Sequence, residues 1–465
     1  MRISRWLTMS VAVAALAVVL AVGALALQPP RPLITQAQVA DGRITPNADG
    51  DHDATQISYS LSRQAEVSIY FEDDEGARHY FRRSRLRPRG DYAVVFSGVV
   101  EGYTLPGEVV HGEVQARLLP DGDYTWVVEA TAPGMETQRV TGALAIEGSD
   151  PTLPDLTEFT ISPQMFTPNQ DGIDDRAQIN VYLAKDANLT VYLDGPGGER
   201  LYVAPRLEGR KPGEMGRWLF DYEGGVDLGA DPPPDGVYTV TAMAEDATGQ
   251  RVTRTGSLTI AQGGKPRAEI VAQPVGGSVV FETMPYDARY FTDAGQPGVL
   301  IHTPEGNPAL VSAVTVPVGD MLVFRLTVWN YSNVPLRTTG PPPGTVYQQG
   351  QRASTLGWYD ESGAWRVGID CDTAMSDYPW RWAVGTADEL VAVEQYGQTF
   401  YYLPPGKQAV VWGAVRLTDI VRERNPQYCW AGLIHEDVEI AALNNRVDPR
   451  EVEIVEGPGA FDPAD

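Results

Sequence analysis

The sequence predicts an all-β protein, tandem antiparallel β-sandwiches behind an N-terminal apolar helix, and three observations carry that expectation. First, Thr45-Pro46-Asn47-Ala48-Asp49-Gly50-Asp51-His52-Asp53 returns 122 residues later as Thr167-Pro168-Asn169-Gln170-Asp171-Gly172-Ile173-Asp174-Asp175. A spaced recurrence marks a duplicated module. The agreement continues at the same offset, where Gln56-Ile57, Leu61, Ala65 and Tyr70 meet Gln178-Ile179, Leu183, Ala187 and Tyr192. Second, Ile57, Tyr59 and Leu61 alternate with polar residues, as do Val67, Ile69 and Phe71, which is the period of half-buried strands. Third, 47 glycines and 36 prolines among 465 residues favour strands joined by turns over long helices.

At the N-terminus Arg2 and Arg5 precede an apolar run from Leu7 to Leu27, and Pro29, Pro30 and Pro32 end it. That is the pattern of an export signal. Ala24-Leu25-Ala26 offers a small-x-small cleavage site, while the 21 apolar-run residues would also suffice to span a bilayer. Residues 1–28 therefore read as a signal peptide or a membrane anchor, with everything after them outside the cytoplasm. No cysteine lies near the signal, which excludes lipid anchoring there. Residues 29–43 read as a proline-rich linker.

The first module is expected over 44–148. Leu119-Pro120-Asp121-Gly122-Asp123-Tyr124 signals a turn into a strand at 125–130, and Thr141 to Ile146 closes the module. The second, over 159–263, repeats these landmarks as Pro234 to Tyr238 and Thr255 to Ile260 at an offset of 114. The shift from 122 to 114 places an eight-residue difference in mid-module, as loops vary on a constant frame. About 100 residues of short alternating strands fit a sandwich of immunoglobulin type. The tyrosine of each Asp-Gly-x-Tyr turn stands where its hydroxyl could pin the turn to the backbone. Neither module contains cysteine, so hydrophobic burial must hold them alone. Residues 264–312 are linker or leading strands. A third sandwich is expected over 313–456, where Val314, Val316 and Val318 alternate and Leu322 to Val328 forms a strand; 457–465 is expected to be a disordered tail.

These motifs resemble a known family. The Thr-Pro-Asn-x-Asp-Gly-x-x-Asp loop followed by Pro-Asp-Gly-x-Tyr is similar to the Ig-like domain of the flagellar hook-capping protein FlgD and its relatives in bacterial surface and secreted proteins. The resemblance covers about 205 of the 465 residues. It implies spacer or assembly modules and no chemistry. The third sandwich more distantly resembles the Ig-like CARDB domains of bacterial cell-surface proteins.

A net charge of −25 argues against nucleic acid and anionic membrane surfaces as partners and suits an extracellular protein or one holding cations. The two cysteines, Cys371 and Cys429, read as a disulfide in an exported chain. Asn47, Asp49 and Asp53, with Asn169, Asp171 and Asp175, place oxygen donors at alternating positions around a glycine, as calcium loops do. The alternative for the same residues is an Asx-turn whose side chains cap backbone amides. Arg78, Arg82, Arg83, Arg85, Arg87 and Arg89 could dock an acidic partner or anionic glycan, or form a solvated hairpin. Seven of the ten tryptophans lie in the third domain; Trp358, Trp365, Trp380 and Trp382 are candidates for a binding face, with core packing as the alternative. No Gly-x-Ser-x-Gly, phosphate loop or His-Glu-x-x-His is present. Two distant carboxylates could still meet as in a glycosidase, but nothing in the spacing points to such a pair. The expectation is a non-enzymatic exported bacterial surface or envelope protein, a structural or adhesion scaffold meeting a protein or glycan partner. The alternative is a carbohydrate-binding module in the Trp-rich third domain.

Overall fold

The computed structural model describes residues 5–26, 31–274, 276–285 and 313–457, and the α-helix among them is Arg5–Ala26. The helix side chains described, from Met9 to Leu20, are exposed. Among the described residues no helix is long and apolar enough to cross a membrane. The remainder is strand, turn and short 3-10 helix, gathered around three large apolar cores, one for each immunoglobulin-like sandwich.

In the first sandwich a three-stranded sheet (Ile34–Val39, Thr55–Leu61, Gly90–Phe96) accompanies a five-stranded one, ordered Arg43–Ile44, Gln138–Ile146, Gly122–Thr131, Ala65–Glu72 and Arg78–Arg87. Alternate side chains of a pleated strand share a face. Ile57, Tyr59 and Leu61 accordingly turn inward together, and so do Val67, Ile69 and Phe71. The Tyr124 hydroxyl donates to the Pro120 carbonyl at 2.9 Å and Tyr238 to that of Pro234 at 2.8 Å, so the tyrosine pins its turn in both copies.

The expected linker 29–43 is corrected here. Ile34–Val39 pairs antiparallel with Thr55–Leu61, and Leu33 and Ile34 are buried in the first core. Ala37 and Val39 also pack against this core, but a register shift between Ile34 and Gln36 breaks the period, so no continuous alternation is left to read.

In the second sandwich Leu156–Ser162, Ala177–Leu183 and Gly216–Tyr222 form one sheet. The other runs Arg200–Val203, Asn188–Asp194, Gly236–Glu245, Arg251–Ile260, and it continues past the domain boundary. Arg251–Ile260 pairs with Glu113–Leu118 of the first sandwich, which pairs in turn with Val99–Glu101. At the joint the Leu118 amide donates to Oε1 of buried Gln250 at 3.3 Å, and the Gln250 side-chain nitrogen donates to the carbonyls of Asp150 (2.9 Å) and Thr152 (3.0 Å). A buried amide must be satisfied in this way, and here its partners stitch the connecting segment to both domains.

The third sandwich starts earlier than the expected residue 313. Ala268–Val271 and Val279–Met284 both pair with Met321–Asn330, so 264–312 contributes leading strands; positions 286–312 lie outside the described residues. Met321–Asn330 also pairs with Gln408–Arg416, which pairs with Val346–Gln348. The facing sheet includes Val447–Val455, Gln427–His435, Trp365–Cys371 and Leu336–Thr338, and ends in the hairpin Val391–Gln395/Gln398–Leu403. Cys371 and Cys429 are opposite one another on adjacent strands and form a disulfide, S–S 2.01 Å. The expected tail lies, beyond residue 457, outside the described residues.

Candidate functional site

The two Asn/Asp loops share one skeleton. In the first, Asn47 Oδ1 accepts the Asp49 amide (3.0 Å), Asp49 Oδ1 that of Asp51 (2.8 Å), and Asp53 those of Asn47, Ala48 and Gly50 (3.1, 2.8 and 2.7 Å). In the second, Asn169 Oδ1 accepts the Asp171 amide (3.0 Å), Asp171 Oδ1 that of Ile173 (2.9 Å), and Asp175 those of Asn169 and Gly172 (3.2 and 2.5 Å). Positive φ falls at matching places: Ala48, Gly50 and His52, then Gln170, Gly172 and Asp174. These side chains act as caps on their own turn. The remaining carboxylate oxygens Asp49 Oδ2 and Asp171 Oδ2 accept from Asn47 Nδ2 and the Tyr402 hydroxyl. Every side-chain oxygen in the two sets thus already accepts a hydrogen bond. Among the described residues no group of three or more His, Cys, Asp or Glu side chains is placed to hold a metal ion.

The copies differ in what surrounds them. The first loop is exposed from Ala48 to His52, whereas the second is docked into the third sandwich. Arg337 Nε donates to the Asp171 carbonyl (2.5 Å), Tyr402 donates to the Asp171 carboxylate (3.2 Å), and His435 Nε2 lies 2.7 Å from the Gln170 carbonyl. Asp174 accepts from the Tyr396 hydroxyl and from Gln395 Nε2 (3.2 Å) at the tip of the edge hairpin. The approach is close enough that a Cβ on Gly363 would lie 2.2 Å from the Asp171 carbonyl carbon.

Burial raises the pKa of Asp171; burial, then the neighbouring Asp171 charge, pushes Asp175 up to about 6. Burial also holds His435 down at about 4 and raises Tyr402. Charged forms lose hydration in such a site, which is the common cause. Arg337, Tyr402 and His435 were not legible as socket residues. One trace was present: Asp51 of the exposed loop is replaced by Ile173, a half-buried apolar residue in the docked one.

The tryptophan expectation is corrected in part. Trp365, Trp380 and Trp382 are buried, as is Trp430, and the first three belong to the third core. The Trp382 indole N–H donates to the Thr345 carbonyl at 3.0 Å, and the ring meets Phe324 and Tyr347 edge-on, centroids 4.6 and 4.9 Å away. These rings are packing. Trp358 is different: it is half-buried and lines a cavity of about 470 Å³ with Phe400 and Tyr401 from the edge hairpin. Its charged lining residues are Arg337 and Glu361, which pair with each other at 2.9 Å.

The arginine cluster lies mostly on the edge strand Arg78–Arg87. Arg78 pairs with Glu72 (3.0 Å) and Arg83 with Glu101 (3.1 Å). Arg82 and Arg87, opposite Ile69 and Ala65, are half-buried and lie over the rings of Phe81 and Tyr92, whereas Arg85 is exposed. Charges along an open edge deny it to an incoming strand.

No family model matches the chain, and no curated protein matches it. The FlgD-like and CARDB-like resemblances thus rest on their motifs alone. Among solved structures, a Ca2+-stabilized adhesin with which an Antarctic bacterium binds ice is 12% identical, over 92% of this chain and 74% of that one, at a TM-score of 0.21. A two-domain fibronectin type III segment of chicken tenascin is 11% identical, over 49% and 98%, at 0.17. A 1.5-MDa bacterial ice-binding adhesin is 10% identical, over 84% and 100%, also at 0.17. Likeness at that level carries nothing about ligand, partner or calcium.

Proposed function

We propose that this chain is an exported, non-enzymatic scaffold of a bacterial surface, in which two FlgD-like sandwiches hold a third in place to meet a partner. The observation that carries the reading is the pair of joints. A ladder of backbone hydrogen bonds fuses the first sandwich to the second, and the docked Asn/Asp loop fixes the second to the third. Spacers with free hinges would only tether their cargo; these joints set its position. The basic start and apolar run at the N-terminus support export, and the disulfide suits an oxidising compartment. The acidic composition, −25 overall, favours solubility of such a chain and repels anionic lipid.

The test is expression of the whole chain in a bacterium, followed by protease treatment of intact cells and thiol alkylation of the recovered protein. Expected are cleavage of the sandwiches from outside, or their release into the medium, and cysteines closed to alkylation. A chain that stays in the cytoplasm with both thiols reactive would overturn the export reading.

A further inference from the structure

The Trp358 cavity is the place where the third sandwich offers chemistry that the fold itself leaves unused. Its volume, about 470 Å³, lies within the usual range of small-molecule sites. Three aromatic side chains reach it, and all are accessible: Trp358 and Phe400 are half-buried and Tyr401 is 43% exposed. The tryptophans of the core, by contrast, present no face to solvent.

Polar groups in the lining divide into spent and unspent. Thr338 donates to the Trp365 carbonyl and accepts from the Val384 amide, and Thr399 donates to Glu394. Among the described residues the Thr339 hydroxyl, the Gln398 amide, the Trp358 indole N–H and the Tyr401 hydroxyl make no hydrogen bond within the protein. Arg337 is neutralised by Glu361 and spends Nε and Nη2 on the carbonyls of Asp171 and Ser362. In a protein so acidic, this is a cavity without uncompensated charge.

Each class of ligand meets these facts differently. An anionic or cationic ligand would find no opposite charge free to pair with it. A purely apolar one would strip water from the Thr339 and Gln398 side chains without replacing their hydrogen bonds, which costs free energy for each. A ring with an apolar C–H face and a rim of hydroxyls satisfies both halves of the lining. Its face stacks on the aromatic side chains while its hydroxyls meet the unspent donors and acceptors.

The geometry points to a neutral-oligosaccharide site in this cavity, with Trp358 and Phe400 as stacking surfaces and Thr339 and Gln398 as the polar contacts. This assignment rests on the third sandwich being the contact domain of the scaffold. The second sandwich takes part indirectly. Asp174 holds the tip of the hairpin through Tyr396 and Gln395, and that hairpin carries Gln398, Phe400 and Tyr401. Docking of the Asn/Asp loop thus presets one wall.

The experiment is calorimetric titration of the purified full chain with gluco-, manno-, galacto- and chito-oligosaccharides of several residues, alongside an array that includes anionic glycans. Expected is micromolar to millimolar binding of at least one neutral oligosaccharide, weakened tenfold or more in Trp358→Ala and severalfold in Thr339→Val. Both variants should keep the wild-type melting temperature to within a few degrees, and Thr339→Val serves should Trp358→Ala fold poorly. Absence of neutral-sugar binding to the full chain overturns the assignment. So does binding that survives in both variants, or a response confined to anionic glycans and lost in Arg85→Glu. Because purified protein is used, failure of export in cells leaves this result standing, and a negative titration leaves the scaffold reading untouched.

Discussion

Asp175 and His435 face the same joint and respond to acid in opposite directions. The folded pKa of Asp175, about 6, lies above its ordinary 3.8; its burial is a penalty at neutral pH that is relieved as pH falls through 6 toward 4. Asp171, also raised, acts in the same sense. His435 is neutral when docked, at about 4 against an ordinary 6.5, whereas the unfolded imidazole gains a proton below about 6.5, so its contribution is lost over nearly the same interval. For Asp175 and His435 alike the displacement is worth up to about 3 kcal/mol. We expect His435→Gln to become more stable, relative to wild type, as pH is lowered from 7 to 4.5, and Asp175→Asn to become less so. Melting temperatures across that range read the sign directly; parallel curves for wild type and both variants would contradict it. The glycines give a second comparison. Gly50→Ala has open space around it and meets only the strain of φ +92°, on the order of 1–2 kcal/mol. Gly363→Ala adds a collision with the Asp171 backbone, which cannot move aside as a side chain could. It should cost more than Gly50→Ala, and hydrogen exchange should show the 167–175 loop released only in the Gly363 variant.

The elements that sequence reading recovered are those whose physics is local. Alternation in Thr55–Leu61 and Ala65–Glu72 is a period-two pattern written in adjacent residues, and the Pro120/Tyr124 and Pro234/Tyr238 turns close over four residues. Ile34–Val39 escaped because a bulge after Ile34 interrupts the period before Ala37 and Val39. The tryptophans could not be sorted, since the same residue type serves the core at Trp382 and the cavity at Trp358, and only the neighbours decide. Socket residues were beyond reach for another reason: Arg337, Tyr402 and His435 meet the loop across sequence separations of 166, 231 and 265 residues. The disulfide was legible on a different ground, since Cys371 and Cys429 are the two cysteines of the whole sequence. The crosslink spans 58 residues, and removing it with Cys371→Ser/Cys429→Ser should destabilise the third sandwich by about 2–4 kcal/mol in denaturant unfolding. An unchanged midpoint would mean that the strand ladder alone supplies the constraint.

At the scale of the whole molecule the chain is one object with two joints. Cutting between 263 and 264 would leave the third sandwich with an empty socket, exposing Arg337 and His435 to water without the carbonyls they bind. The fragment 264–465 should therefore melt below the corresponding transition of the intact chain, whereas a hinged tether would predict no difference; calorimetry of both distinguishes them. The two joints also differ in how they would bear mechanical load. Glu113–Leu118 is a strand inside a ladder, so a pull along the chain must shear several backbone bonds there together. The docked loop is held by a few side-chain contacts around Asp171 and Asp174, which can be peeled one after another. Under tension between its ends the chain is expected to open at the second joint before the first, and that opening would free the hairpin wall of the Trp358 cavity.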